Sequence, residues 1–286
     1  MLKKMKYPLL CFIGLLWLPS AFAKQCVLTM GYRTSERLPY IQKAPSNDGF
    51  YFDLYDKAAK RIGCRLEILR APKKRILREL EFGRIDFYPN LNYSPKRNKI
   101  AHFIANGLPS NQIGISRRQD PEVTDINQLL TRNKTLLIAP GSHIDGGLPK
   151  HLSTRQPPEM DIRTAIELIL QKSGDFFIYE EASIRYHLTQ FPNPEIKIHH
   201  KCCVNNNKMY LGFSKMSPYY ASEPNADYDR KQPLSPTNQP EKLLVSSKAN
   251  QFAKSLSRMH QLGITVKLRD LYFNNNQKRY ATHVAN

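Results

Sequence analysis

The stretch from Leu80 to Ile104 constrains the fold more than any other part of the chain. Leu77, Leu80 and Glu81 close a helix, and Gly83 stands where a helix C-terminus needs a residue free to take positive φ. Ile85 to Tyr88 reads as a short strand. Asn90 to Ser94 reads as a polar turn at its carboxyl end, the edge at which open α/β sheets receive ligands. Arg97 then supplies a planar, permanently charged fork that suits a carboxylate. The same helix–glycine–aspartate–strand order returns at Gly174-Asp175-Phe176-Phe177-Ile178-Tyr179-Glu180. With 286 residues, too many for one ordinary core, this predicts an α/β chain of two lobes, each an open, mostly parallel sheet flanked by helices.

The first residues predict export. Lys3, Lys4 and Lys6 precede an apolar run from Leu9 to Leu18, and Ala21-Phe22-Ala23 is a small-x-small cleavage site. Residues 1–23 are thus expected to leave, and the mature chain to start at Lys24 in the periplasm. The leader takes three lysines and no acids from a net charge of +19, so +16 stays on the mature chain. Such an excess suits acidic surroundings, whether an anionic envelope surface or an acidic ligand. Nucleic acid is set aside, because the chain is exported and shows no nucleic-acid module.

Four cysteines remain after cleavage, an even number in an oxidising compartment. Cys26 and Cys64 open the first and second strands, so a bridge between them suits neighbouring parallel strands. For Cys202-Cys203 a vicinal disulfide, two buried thiols and a metal site all stay open, although no His/Cys spacing makes a convincing metal set.

Along the chain, Val27 to Tyr32 is the first strand, and helical spacing runs from Phe52 to Ile62, ended by Gly63. Leu66 to Leu69 is the second strand, and Pro72 starts a helix with Ile76, Leu77 and Leu80 inside. Ile113-Gly114-Ile115 reads as the crossover to a second lobe, and Lys208 to Lys215 as the return. Pro140-Gly141-Ser142-His143 is a tight turn before a possible helix. The expected division is lobe one over 24–113, lobe two over 114–210 and a return to lobe one over 211–286. Residues 217–239, rich in proline and poor in aliphatics, read as a mobile surface loop.

The ordered signals Leu38-Pro39-Tyr40, Gly49-Phe50-Tyr51-Phe52-Asp53-Leu54, Arg61-Ile62-Gly63, Gly83-Arg84-Ile85-Asp86 and Ser94-x-x-Arg97 resemble those of the periplasmic solute-binding proteins of bacterial family 3, which serve polar-amino-acid ABC transporters. The resemblance covers about Val27 to Tyr272, less the 217–239 loop. It implies the type II two-lobed periplasmic-binding fold and a monomer that closes over a small polar ligand for a permease made of other chains, with no cofactor. It also implies ligand roles: Arg97, Ser94 and Asn92 for a carboxylate, Glu180 for an amino group and Ser142 for a hydroxyl contact from lobe two.

The chain departs from that family at two places. Arg37 stands where many relatives stack an aromatic ring, and Lys73-Lys74 stands where another aromatic precedes the helix. A cleft with Arg37 beside Tyr40 is more basic than usual and suits an acidic solute. Two other readings stay open: a dehydratase-like enzyme with Glu180 as general acid or base, and a basic envelope protein whose degenerate cleft binds an anionic partner. No nucleophile–base pair is visible in the sequence, so no catalytic residue is assigned.

Overall fold

The computed structural model describes residues 25–140, 147–158, 160–203 and 207–273. The expected leader and Ser142 lie outside these residues. The first lobe is built from β1 (Cys26–Tyr32), α1 (Phe50–Lys60), β2 (Cys64–Arg70), α2 (Lys73–Glu81), β3 (Phe87–Tyr88), α3 (Pro95–Asn98) and β4 (Ala101–Ser110). The second lobe follows with β5 (Gln112–Arg117), α4 (Asn127–Thr131), β6 (Leu136–Leu137), β7 (Thr154–Arg155), α5 (Ile162–Leu170), β8 (Phe176–Glu180), α6 (Glu181–Gln190) and β9 (Ile196–His199). The chain then returns through β10 (Asn207–Ser214), β11 (Ser222–Pro224), β12 (Glu241–Leu243), α7 (Lys248–Gln261) and α8 (Ile264–Phe273).

The main sheets have strand orders β2-β1-β3-β10-β4 and β7-β6-β8-β5-β9. They are mixed rather than mostly parallel. β1, β2 and β3 run parallel, whereas β10 is antiparallel to both β3 and β4; in the second sheet β5 is antiparallel to β8 and β9. The reason lies in the connections: β10 and β5, which receive the chain from the other lobe, enter their sheets from the hinge side and run against their neighbours. Only Asn111 separates β4 from β5.

The aspartates of the repeated motif explain why it recurs. Asp86 Oδ2 accepts the N–H of Thr29 on β1 at 2.7 Å, and Asp175 Oδ2 accepts the N–H of Thr135 beside β6 at 2.9 Å. Each carboxylate thus ties the start of one strand to the neighbouring strand's backbone, which satisfies a donor that would otherwise be buried unpaired. The first core gathers Tyr55, Phe87, Phe213 and Phe252 between sheet and helices. Cys26 and Cys64 are register partners on β1 and β2 and form a disulfide.

Residues 217–239, where the sequence shows no pattern, form an organised excursion. The Ser217 hydroxyl donates to Asp86 Oδ1 at 2.5 Å, β11 pairs with β12, and the Asn238 side chain donates to three backbone carbonyls. Asparagine, serine and proline supply turn hydrogen bonds there in place of aliphatic packing.

β4 also carries a group that sets acid stability. His102 lies opposite Phe213 of β10 with its ring 6.0 Å from Tyr220, and burial, then Lys215, pushes its pKa down from 6.5 to about 4. The unfolded chain takes up this proton near 6.5 and the folded chain only near 4, so stability is lost as pH falls through that window. Allowing for partial exposure of the ring, the loss is about 2 kcal/mol. Denaturant melts at pH 7 and pH 4 should show this difference shrinking in His102→Gln; an unchanged difference would remove His102 from the account.

Candidate ligand-binding cleft

Two clusters of side chains face the space between the lobes. The first follows β3. Ser94 caps α3 by accepting the N–H of Arg97 at 3.3 Å, and Arg97 Nη1 donates to the carbonyl of Asn92 at 2.9 Å. The turn Asn92–Arg97 is therefore a self-braced unit that sets the guanidinium at the carboxyl end of β3. Ser94 acts here as a helix cap, and Asn92 orients Arg97 through its backbone.

The second cluster joins the lobes. Tyr40 reaches from lobe one to donate its hydroxyl to Glu180 Oε1 at 3.1 Å, while Glu180 Oε2 accepts the N–H of Ser183 at 2.9 Å. Glu180 thereby caps α6, and it is buried at 4% exposure. Arg37 lies with its guanidinium carbon 4.6 Å from the ring centre of Tyr179 and 5.9 Å from that of Tyr40. Arg33 Nη2 donates to the Tyr179 hydroxyl, a second bridge between lobes. Beneath them Tyr40 stacks on Tyr51 at 4.8 Å and Tyr32 on Tyr88 at 5.5 Å. Aromatic surface is thus present, supplied by tyrosines of the lobe-one floor, with Arg37 laid across it as a cation–π partner.

Burial pushes the Glu180 carboxyl up from its ordinary range, against the pull of Arg37, the N–H groups of Ser183 and Ala182, and the Tyr40 hydroxyl. A raised carboxyl is one requirement of a general acid. Here both oxygens are engaged, one across the cleft and one on a helix N-terminus, so the arrangement holds the lobes together rather than presenting a free acid.

The cleft has a basic end. An open cavity of about 300 Å³ is lined by Arg33, Thr34, Ser35, Lys73 and Lys74 from lobe one and by Gln156 with neighbouring prolines from lobe two. Burial, then Arg33, Arg97 and Arg37, holds the Lys73 ammonium well below its ordinary pKa. These four cations therefore share one region, which links the Arg97 turn to the Arg37–Tyr40–Glu180 cluster.

Residues 28–275 match the family of bacterial extracellular solute-binding proteins, family 3. The chain belongs to this family. No curated protein matches the sequence. Among solved structures, a putative binding component of an ABC transporter from Wolinella succinogenes, complexed with lysine, superposes with a TM-score of 0.66 at 16% identity, covering 88% of this chain and 97% of that one. The GluR0 ligand-binding core from Nostoc punctiforme, solved with L-glutamate, gives 0.64 at 16% identity, covering 86% and 99%. An ancestral amino acid-binding protein described as a precursor of cyclohexadienyl dehydratase gives 0.64 at 15% identity, covering 88% and 96%. At these identities the likeness shows the type II two-lobed fold.

For this family-3 solute-binding protein, sequence reasoning singled out Arg37, Tyr40, Glu180, Asn92, Ser94 and Arg97, and the structure gathers them into the two clusters above. It missed Arg33 and Tyr179, which bridge the lobes. Their signal was position alone: Arg33 follows the last residue of β1, and Tyr179 precedes Glu180 at the end of β8. The adjacent cysteines are bonded to each other, with Cys202 packed among Val123, Leu129 and Phe176. Nearby His199 accepts the Val123 N–H through Nδ1 and meets the Ser116 hydroxyl through Nε2, so both ring nitrogens serve the lobe-two core. Among the described residues no group of three His, Cys, Asp or Glu is placed to hold a metal, and no helix is long and apolar enough to cross a membrane.

Proposed function

We propose that this exported protein binds a small polar solute, an amino acid or a related acidic compound, by closing two lobes over it, and hands the solute to an ABC permease built from other chains. The observation that carries this reading is the hydrogen bond between Tyr40 of lobe one and Glu180 of lobe two. Closure of a two-lobed binder is driven by contacts that exist only when the lobes meet, and this one forms at the floor of the cleft.

In this reading Arg97, braced by Asn92 and Ser94, receives the solute's carboxylate. Glu180 answers an amino group, Ser142 adds a hydroxyl from lobe two, and Arg37 and Tyr40 form the wall. The relatives named above were solved with lysine and with L-glutamate, solutes of opposite side-chain charge. One fold thus accommodates both.

The test is a thermal-shift screen of the mature chain, disulfides intact, against amino acids and organic acids. A solute at a hundred times its Kd should add about 2.7 kcal/mol to the folded state. Arg97→Ala is expected to abolish the shift. Binding that survives this change at full strength would move the carboxylate site elsewhere. Glu180→Gln should weaken binding without revealing turnover of any bound acid, whereas turnover lost in this variant would establish the dehydratase-like alternative.

A further inference from the structure

The basic end of the cleft has chemistry that recognition of a single carboxylate leaves unused. Helix α2 begins Lys73-Lys74-Arg75 after Pro72, with no acid in its first turn and no side chain capping it. A helix N-terminus carries partial positive charge, and cations there are unfavourable. Placing three in a row costs stability unless an anion answers them. The N–H groups of Arg75 and Ile76 turn back to the Pro72 carbonyl, whereas those of Lys73 and Lys74 carry no hydrogen bond among the described residues.

A second, independent observation comes from Arg33. Its side chain lines the same cavity and is only 7% exposed, yet its Nε–H has no partner. A buried guanidinium donor left unpaired is costly, and such groups mark places where a ligand or ion completes the bonding. Thr34 and Ser35, which carry hydroxyl donors, and Gln156 from lobe two line the same cavity. Among the described residues no carboxylate lines this cavity. The site spans both lobes, so an occupant would contribute to closure.

We propose that this pocket, formed by the N-terminus of α2 with Lys73 and Lys74, by Arg33, and by the Thr34 and Ser35 hydroxyls, is an anion subsite, so that the solute carries a second oxyanion, carboxylate or phosphate, beyond the carboxylate given to Arg97. The inference rests on the solute-binding reading and narrows it to doubly anionic small molecules. The depressed ammonium of Lys73 accords with it, because an incoming anion would relieve the crowding by Arg33, Arg97 and Arg37.

The experiment is isothermal titration of the mature full chain with L-serine, L-glutamate and O-phospho-L-serine at low ionic strength, repeated on the Lys73→Gln/Lys74→Gln double variant. The parent is expected to bind at least one acidic solute about tenfold or more tighter than L-serine, and the variant to lose that margin while keeping its affinity for L-serine. The better of the two acidic probes tells whether the second group is a carboxylate or a phosphate. The variant should melt no lower than the parent, since two cations leave a helix N-terminus, which separates lost binding from lost folding. Equal affinity for all three solutes, or an acidic preference untouched by the two lysine changes, would overturn the subsite and leave the binder reading standing. If Arg97→Ala also left every affinity unchanged, the cleft assignment itself would fall.

Discussion

Replacing Gly49 by alanine is expected to destabilise the protein by about 3 kcal/mol or more, the cost of an L-residue in backbone space that only glycine occupies plus that of a steric clash. Gly49 sits at φ 136°, ψ 177° as the N-cap of α1. A Cβ there would lie 2.5 Å from the Tyr40 carbonyl oxygen and 2.8 Å from the Ile41 Cα, both backbone atoms that cannot swing aside. This close approach has a purpose. The N–H groups of Phe50 and Tyr51, which no turn of α1 can satisfy, donate to the carbonyls of Pro39 and Tyr40 at 3.2 and 2.9 Å. The loop that carries Tyr40 to Glu180 is thus fastened to a helix end through a residue without a side chain.

Gly63→Ala is the matched comparison. Gly63 also has positive φ, 72°, but nothing lies within 4 Å of its Cβ position. There the cost should be about 1 kcal/mol, from backbone conformation alone. Chemical denaturation of both variants checks the argument, and solute affinity should fall for Gly49→Ala but not for Gly63→Ala. Equal losses of stability would show that the approach to Tyr40 is not what makes Gly49 necessary.

The second large effect concerns the disulfides. Cys26→Ser with Cys64→Ser is expected to cost about 4 kcal/mol, the loop-entropy value for a closure of this length. The bridge spans 38 residues, carrying α1 and the whole Tyr40 loop, so cutting it frees much of lobe one in the unfolded chain. Cys202→Ser with Cys203→Ser closes no loop, since the two are sequence neighbours. Its effect should be only a small fraction of the first. Denaturation of both double variants and of the parent with reductant would order the three. A Cys26/Cys64 variant within about 1 kcal/mol of the parent would contradict the entropic account.

Some of the fold was legible because short-range chemistry dictates it. Gly83 takes φ 69° at the end of α2, as the local rule for a helix C-terminus requires. The pairing of Cys26 with Cys64 followed from strand starts, and the recurrence of glycine, aspartate and strand announced two lobes. The direction of β4, β5 and β10 was not legible, because apolar runs read alike whichever way a strand enters its sheet. Nor was the order within 217–239, where hydrogen bonds from Asn238 and Ser217 replace the hydrophobic period that pattern reading depends on.

The candidate site divides in the same way. By itself the sequence determined the Arg97 turn, whose brace is made within five residues, and the family of the fold. It also placed Glu180 at the end of its strand. Only the tertiary structure decided that Tyr40 meets Glu180 across 140 residues of chain, that Arg33 bridges to Tyr179 across 146, and that Arg33 and Lys73 line one cavity. Backbone chemistry between near neighbours is written in the residues themselves. Convergence of side chains from two lobes depends on how the sheets twist and where the hinge sets them, which no local pattern records.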